Sequence, residues 1–341
     1  MVTLKEIASA VGVSTATVSR VLNFDQTLSI AAHKRQAIIE TAEALNYATP
    51  RARNRANSQG LTKIAIVHFL QPEQELIDPY YVSLRLGIES RCHALKIETV
   101  KVYHTDSLPE ASLLQGASGA IAIGIHREAE IAWLKRHSRH VVFADLTPAS
   151  DSFDVVQSDL PLAMRKLLTE LAAAGYRRIG FAGWVEENST DPFGEMRCRA
   201  YIQWARERNA FEPELCATER SVERNTEQTG YHLGMRLLSQ KNPPDAIVCC
   251  NDNIAVGVYR AAHELGRAIP DDVAVASFND ISVAQFLNPP LTTVHLPAEE
   301  IGETAVELLL ERMSGRELAK RIILANEIIW RGSTRHPLNG G

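Results

Sequence analysis

The chain has 341 residues, 45% of them hydrophobic and 23% charged, which fits a folded globular protein of two or three domains and excludes a fibre or a disordered chain. Its apolar runs, such as Ile64–Val67 and Ala246–Cys250, are far too short to span a bilayer. The formal net charge of −5 is uneven: residues 1–60 carry seven Lys or Arg against four acids, so a basic head suited to a polyanion precedes an acidic remainder.

Met1–Val11 lacks a basic leader and a cleavable apolar stretch, and reads as structure rather than as a secretion signal. Thr3-Leu4-Lys5-Glu6 has the form of a capping box, and Ile7, Ala8 and Val11 continue it as an apolar stripe at helical spacing. Gly12 stops that helix. Ser14 caps a second, with Val18, Val21 and Leu22 on its inner face. A short turn between two such helices is a helix-turn-helix. Ser29 opens a third helix, whose Ile38, Ile39, Ala42 and Leu45 close a small core. The exposed face of the second helix carries Thr15, Ala16, Thr17, Ser19 and Arg20. Small residues let a backbone approach a duplex, hydroxyls reach phosphates or base edges, and an arginine can fork onto guanine. A solvated surface helix is the alternative on chemistry alone.

The stretch Ile7-Ala8-x-x-x-Gly12-Val13-Ser14-x-x-Thr17-Val18-Ser19-Arg20-x-Leu22-Asn23, followed by Ala44-Leu45-x-Tyr47, resembles the DNA-binding head of the LacI/GalR family of bacterial repressors. The resemblance implies that Thr15, Ala16 and Arg20 read bases and that Ser14, Thr17, Ser19, Asn23 and Tyr47 position the backbone; Thr3, the N-cap of the first helix, is counted with the DNA-binding residues. Residues 48–61 are polar and basic, punctuated by Pro50 and Gly60, and on composition alone form a flexible linker. In the family this stretch is a hinge helix that wedges a leucine into the minor groove. Arg51, Ala52 and Arg53 are compatible with DNA contact, but Arg55 stands at the leucine position, where it can contact phosphate yet makes a poor apolar wedge.

From Thr62 onward, β-rich runs alternate with amphipathic helices. Strands are expected at Ile64–Phe69, Ile97–Tyr103, Ala120–Ile125, Val141–Asp145, Arg178–Gly183, Ala246–Cys250 and Val273–Phe278, and helices at about 80–95, 160–174, 195–208, 226–240, 252–265 and 297–313. Alternation over this length predicts parallel sheets in two lobes, with a ligand cleft at the carboxyl ends of the strands. Polar residues just past strand ends are therefore candidates: Asn251 and Asn279 as ligand groups, with Asp252 and Asp280 divided between ligand and helix cap. Asp78, Tyr80 and Tyr81 lie between the first strand and its helix, where the rings either face a ligand or pack into the first turn. Trp184 directly follows a strand and offers a stacking platform. Arg199 is either a ligand donor or half of a surface salt bridge.

Gly87-Ile88-Glu89, Asn251-Asp252-x-x-Ala255-x-Gly257, Ile269-Pro270-x-Asp272-Val273 and Pro290-Leu291-Thr292-Thr293-Val294 continue the family resemblance over nearly the whole chain. It implies an α/β fold: an N-terminal three-helix helix-turn-helix head plus a two-lobed, periplasmic-binding-protein-like, doubly wound α/β body. The implied domains are 1–47 for DNA binding, 48–61 for the hinge and 62–335 for effector binding and dimerisation, with lobe 1 at about 62–158 and 291–320 and lobe 2 at about 159–290 and 321–335. Arg199, Asn251 and Asn279 then match groups that bind sugar hydroxyls, although the family places a glycine three residues after the arginine and this chain has Ile202. The stretch from Asp78-Pro79-Tyr80-Tyr81 to Arg85-x-Gly87-Ile88-Glu89 is similar to galactoside-responsive members. The implied function is a cytoplasmic, sequence-specific repressor that binds palindromic double-stranded operator DNA as a homodimer and responds to a sugar effector, a β-galactoside inducer. Another sugar, a purine, or a corepressor response is the alternative. Arg335–Gly341 has no apolar heptad, which favours a dimer over a tetramer.

No enzyme, cofactor or membrane partner is expected. P-loop, GxSxG, CxxC and HExxH motifs are missing from the sequence, and the pairs Cys92-His93 and His137-x-x-His140 lack further ligands. Cys92, Cys198, Cys216, Cys249 and Cys250 suit small apolar residues of a reducing compartment.

Overall fold

The computed structural model describes residues 4–22, 28, 30–44, 63–103, 108–185, 194–220 and 226–335, which fall into two units, Met1–Thr62 and Lys63–Gly341. In the first unit, α1 (Leu4–Val11) ends at Gly12, whose φ of +67° allows the Val13 N–H to turn back to the Ala8 carbonyl at 3.0 Å. Ser14 caps α2 (Thr15–Leu22) by accepting the Thr17 N–H at 3.1 Å. With α3 (Ala32–Ala44), the helices bury Ile7, Ala8, Val18, Val21, Ile38 and Ala42 in one core, while Val11, Leu22 and Ile39 pack at its edge. Ser29 and Leu45, expected to open and close the third helix, lie outside the described residues.

The second unit contains two six-stranded sheets. The first runs β11 (Arg321–Leu324), β5 (Asp154–Ser158), β4 (Val141–Ala144), β3 (Gly119–Ile123), β1 (Lys63–His68), β2 (Glu98–Val102), all parallel. The second runs β12 (Glu327–Ile329), β10 (Thr292–His295), β9 (Ala274–Asn279), β8 (Ala246–Cys249), β6 (Ile179–Val185), β7 (Cys216–Arg220), parallel except for β12 against β10. Central strands β3, β4, β6 and β8 are buried throughout, as a parallel sheet with helices on both faces requires. The body is thus two-lobed and doubly wound.

The lobe boundaries differ from those expected. Thr292–His295 pairs with Ala276–Asn279 and so belongs to lobe 2, and the chain re-enters lobe 1 only after His295. Arg321–Leu324 pairs with Val155–Ser158 and belongs to lobe 1. Asp154 explains the second correction. Its wholly buried carboxylate takes hydrogen bonds from Arg312 Nε at 2.6 Å, Arg316 Nη1 at 2.9 Å and the Lys320 backbone N–H at 2.6 Å, pinning the segment before β11 to β5. Burial alone would raise its pKa, but those bonds hold it below the usual carboxylate range.

Two helix pairs approach closely at glycines: α5 (Pro79–Ala94) with α11 (Ala298–Met313) at Gly87 and Gly302, and α9 (Glu227–Leu238) with α10 (Asp252–Glu264) at Gly230 and Gly257. A Cβ on Gly257 would run into the backbone of Glu227 and Tyr231, which cannot rotate away. Gly257→Ala is expected to cost about 1–3 kcal/mol through separation of the helices. A denaturation midpoint equal to that of the parent protein would contradict this close packing.

Candidate functional site

In the head, Ser14, Thr15, Ala16 and Arg20 are exposed on one side of α2, and Thr17 and Ser19 are partly exposed beside them. The Ser14 and Thr17 hydroxyls bond each other at 2.8 Å, which fixes their orientation at the helix start. This surface has small side chains at the amino end and a guanidinium one turn later. It can approach a groove closely and donate to an acceptor there. Thr3, Asn23, Tyr47, Arg51, Ala52, Arg53 and Arg55 lie outside the described residues.

In the body, the carboxyl ends of the lobe 1 strands bring Asp78, Tyr81 and Asp145 together. Pro79 starts α5 immediately after Asp78, so Tyr80 and Tyr81 fall in its first turn. Asp145, just past β4, adopts a φ of +66°, and its Oδ2 accepts the Tyr81 O–H at 3.1 Å. Tyr81 is braced edge-on by Phe69, with ring centroids 4.8 Å apart. Tyr80 is buried, which agrees with the packed first-turn alternative.

From lobe 2, the first turn of α8 (Met196–Glu207) supplies Arg197. Its Nε donates to Glu195 Oε1 at 2.7 Å, and its guanidinium lies 5.6 Å from the Phe278 ring centroid. Burial pushes the Asp78 carboxyl up to about 6, and the neighbouring Asp145 adds to this while Arg197 opposes it. Burial likewise raises Asp145 to about 6, against Arg197 and the Tyr81 bond. Burial acts to discharge Arg197, but Glu195 and the surrounding groups raise its pKa and keep it charged. Two carboxylates on one lobe therefore share the field of a guanidinium on the other. Such a set can accept from hydroxyls on one side of a neutral guest and donate from the opposite side.

Arg197 and Asp145 were missed by the sequence reading. Arg199 is exposed on α8, because two residues of helix turn it well away from Arg197. One signal was available: counting three residues on from Arg197 reaches the small Ala200, where counting from Arg199 reaches Ile202. Asp145 obeyed the strand-end rule already applied to Asn251.

Asn251 is buried and caps α10, its Oδ1 accepting the Ile254 N–H at 3.0 Å. Asp252 does not cap. It accepts from the Ser277 hydroxyl, from Thr293 Oγ1 at 2.8 Å and from the Ile281 N–H at 2.7 Å, tying the start of α10 to β9 and β10. Burial still raises its pKa to about 7 despite these donors. Asn253, one residue on, donates from Nδ2 to the Ile77 carbonyl at 3.0 Å and so links lobe 2 to lobe 1. Asn279 ends β9 in a left-handed conformation, φ +104°, and remains partly exposed. Asp280 turns away from a capping role to pair with Arg331 Nη2 at 2.7 Å and His295 Nδ1 at 3.3 Å. Trp184 lies within β6, which continues to Val185 rather than ending at Gly183, and it is buried.

Among the described residues, no His, Cys, Asp or Glu group could hold a metal ion and no helix is long and apolar enough to cross a membrane. Two family descriptions match the chain: "Bacterial regulatory proteins, lacI family" over residues 3–50 and "Periplasmic binding protein-like domain" over residues 168–334. The HTH-type transcriptional repressor MelR of Bacillus subtilis (strain 168) is 35% identical over 98% of this chain and 97% of its own length. A lactose operon repressor of Rhizobium radiobacter is 54% identical over 32% of this chain and 97% of its own length. The lac repressor dimer bound to operator and an anti-inducer shares the fold, with a TM-score of 0.68 and 22% identity over 98% of this chain and 99% of that one. A helix-turn-helix head, a two-lobed body and a regulator 35% identical from end to end place this chain in the lacI family of bacterial regulatory proteins, as a DNA-binding transcriptional regulator.

Proposed function

We propose that this regulator is a cytoplasmic homodimeric repressor of a palindromic operator, released by a β-galactoside that binds between the lobes of its body. The observation that carries the reading is the cross-lobe set of Asp78 and Asp145 facing Arg197, which suits a neutral, hydroxyl-rich guest. The 54% identical lactose operon repressor supports a galactoside over other sugars. In this account Arg20, Thr15 and Ala16 meet base edges, while Ser14, Thr17 and Ser19 hold the helix on the backbone. Asn279 joins the effector set at the strand end.

A sugar that bridges Asp145 and Arg197 stabilises the arrangement in which the lobes are drawn together. If operator DNA favours the other arrangement, the two ligands compete through a coupling of about 1–3 kcal/mol, and DNA must weaken the sugar by the same factor. The test is fluorescence anisotropy on a palindromic operator selected from random DNA, at fixed salt, with lactose, galactose and related β-galactosides. A tenfold weakening by one galactoside is expected. Operator binding indifferent to all of them would overturn the galactoside assignment, and tighter binding would make the sugar a corepressor.

The carboxyl groups add a pH dependence. Ionised carboxylates are the better acceptors of sugar hydroxyls, and both groups take up protons as pH falls through about 6. Each carboxylate is about tenfold less ionised at pH 5 than at pH 7.5, so effector affinity is expected to be at least tenfold weaker at the lower pH. The same protons favour the folded protein: a carboxyl whose pKa rises on folding contributes stability at low pH and loses it as pH climbs through 6. Calorimetric titrations at the two pH values check the first statement. A flat profile would remove Asp78 and Asp145 from direct contact.

A further inference from the structure

A side chain outside the effector set joins the two lobes. Asn253, the second residue of α10, donates from Nδ2 to the Ile77 carbonyl at 3.0 Å, across a sequence separation of 176 residues. Asn253 is buried, so the bond is shielded from competing water. An amide turned the other way would set its oxygen against the carbonyl, and the donor end is therefore the one that faces lobe 1.

Both ends of this bond are fixed within their own lobes. In lobe 1, Ile77 closes the short helix α4 (Pro72–Leu76), whose buried Glu75 accepts from Arg85 Nε at 2.5 Å and from the Tyr103 hydroxyl at 2.9 Å. Pro79 has no N–H to offer, and the amides of Tyr81 and Val82 turn to the Asp78 carbonyl at 3.1 and 3.3 Å, so the first turn of α5 bypasses the Ile77 carbonyl. In lobe 2, Asp252 anchors the residue before Asn253 to β9 and β10 through Ser277 and Thr293.

With both ends held, the bond depends on the separation of the lobes. Parting them by about 1 Å at this point stretches the contact beyond hydrogen-bond reach. Ile77 is followed at once by Asp78, which faces Arg197 from the other lobe. The bond therefore decides whether the lobe 1 carboxylates stand within the field of that guanidinium before any guest arrives. A guest that meets a body already drawn together spends none of its binding free energy on closing it, whereas its apparent affinity falls in proportion to the fraction of chains that stand open.

We propose that Asn253 is a latch between the lobes, a positioning residue that holds Asp78 and Asp145 opposite Arg197 in the absence of effector. Its donor is engaged by backbone, and it acts on the effector set only through the distance between the lobes. Loss of one such bond is expected to raise the ratio of parted to joined lobes about three- to tenfold. The consequence for DNA rests on the function proposed above: where operator favours parted lobes, the same loss tightens operator binding in the absence of sugar and weakens the sugar.

The test measures the lobe separation directly, without ligand. All five cysteines are buried, so nitroxides can be placed on the full chain at Glu73→Cys in α4 and Glu227→Cys in α9, exposed positions on opposite lobes. Labelled chain is diluted with unlabelled chain to remove distances between copies, and the distribution is read by pulsed dipolar spectroscopy. Asn253→Ala, and Asn253→Asp, which keeps the shape and removes the donor, are each expected to add a population at longer distance. A distribution identical to the parent's in both variants would overturn the latch, as would one that alanine broadens and aspartate restores. Operator anisotropy on unlabelled Asn253→Ala separates this proposal from the function it rests on. A complex three- to tenfold tighter is expected, and an unchanged operator affinity beside a shifted distribution would overturn the coupling between lobes and DNA while leaving the latch in place.

Discussion

Replacing Arg197 by methionine is expected to weaken effector binding at least 100-fold while leaving effector-free operator affinity within about twofold. The magnitude follows from the setting. The guanidinium is the cationic group facing Asp78 and Asp145, placed to donate more than one hydrogen bond to a hydroxyl-rich guest, and each bond from a charged donor is worth about 1.5–3 kcal/mol. The loss should fall on binding rather than folding, because Glu195, which orients Arg197, is itself retained as the cap of α8 through the Cys198 N–H at 2.9 Å. A variant that holds its operator and ignores sugar is the expected phenotype. Arg199→Ala supplies the contrast: on the exposed side of the same helix, it should change effector affinity by less than twofold. Isothermal titration of both variants decides the matter. A large loss from Arg199 with none from Arg197 would reverse the assignment of the cleft.

The second large effect is expected at the DNA surface. Arg20 is exposed near the end of α2, beyond the small residues that allow close approach. Arg20→Ala is expected to cost about 1–3 kcal/mol on the preferred operator and to relax base preference at one position per half-site. Loss of a phosphate contact would instead weaken all sequences alike and reduce the salt dependence by about one unit. Competition binding against an operator library distinguishes the two results.

Much of this was legible in the residues. The head was readable because its signals are local: a glycine stop, a serine cap and apolar positions at helical spacing all lie within a few residues of one another. The central strands of both sheets were readable because burial on both faces makes them continuous apolar runs. The strands that escaped have weaker patterns. Edge strand β2 was found only because it follows a helix, while β11, ARG-ILE-ILE-LEU in sequence, alternates between exposed and half-buried and is too short to stand out. Strand β7 carries Thr218, Glu219 and Arg220 at a sheet edge, where one side faces no neighbour. The lobe boundaries depended on Asp154, whose partners lie more than 150 residues away and leave no mark on local composition.

The cleft was legible in kind but not in register. Strand ends and helix starts drew attention to Asp78 and Tyr81, which the structure brings together with Asp145. A short helix beginning with Met196-Arg197-Cys198-Arg199 offers two cations, and only the packing of its first turn decides that Arg197 faces inward and Arg199 outward. Asn251 and Asp252 show the reverse problem. Their residue types suit ligand binding and capping equally, and the division of labour, one capping and one joining two strands and a helix, is settled by neighbours distant in sequence.

The exchange of chain between the lobes has a consequence during synthesis. The three described helices of the head lie within the first 44 residues, whereas β11 and α11 of lobe 1 are translated after nearly all of lobe 2. A ribosome therefore delivers the three helices of the head long before either half of the body can close its sheet. A message cut short ahead of residue 298 would yield a head joined to a body lacking the α11 helix and an edge strand from each sheet. Such a fragment keeps the exposed face of α2 and has neither lobe of its body complete.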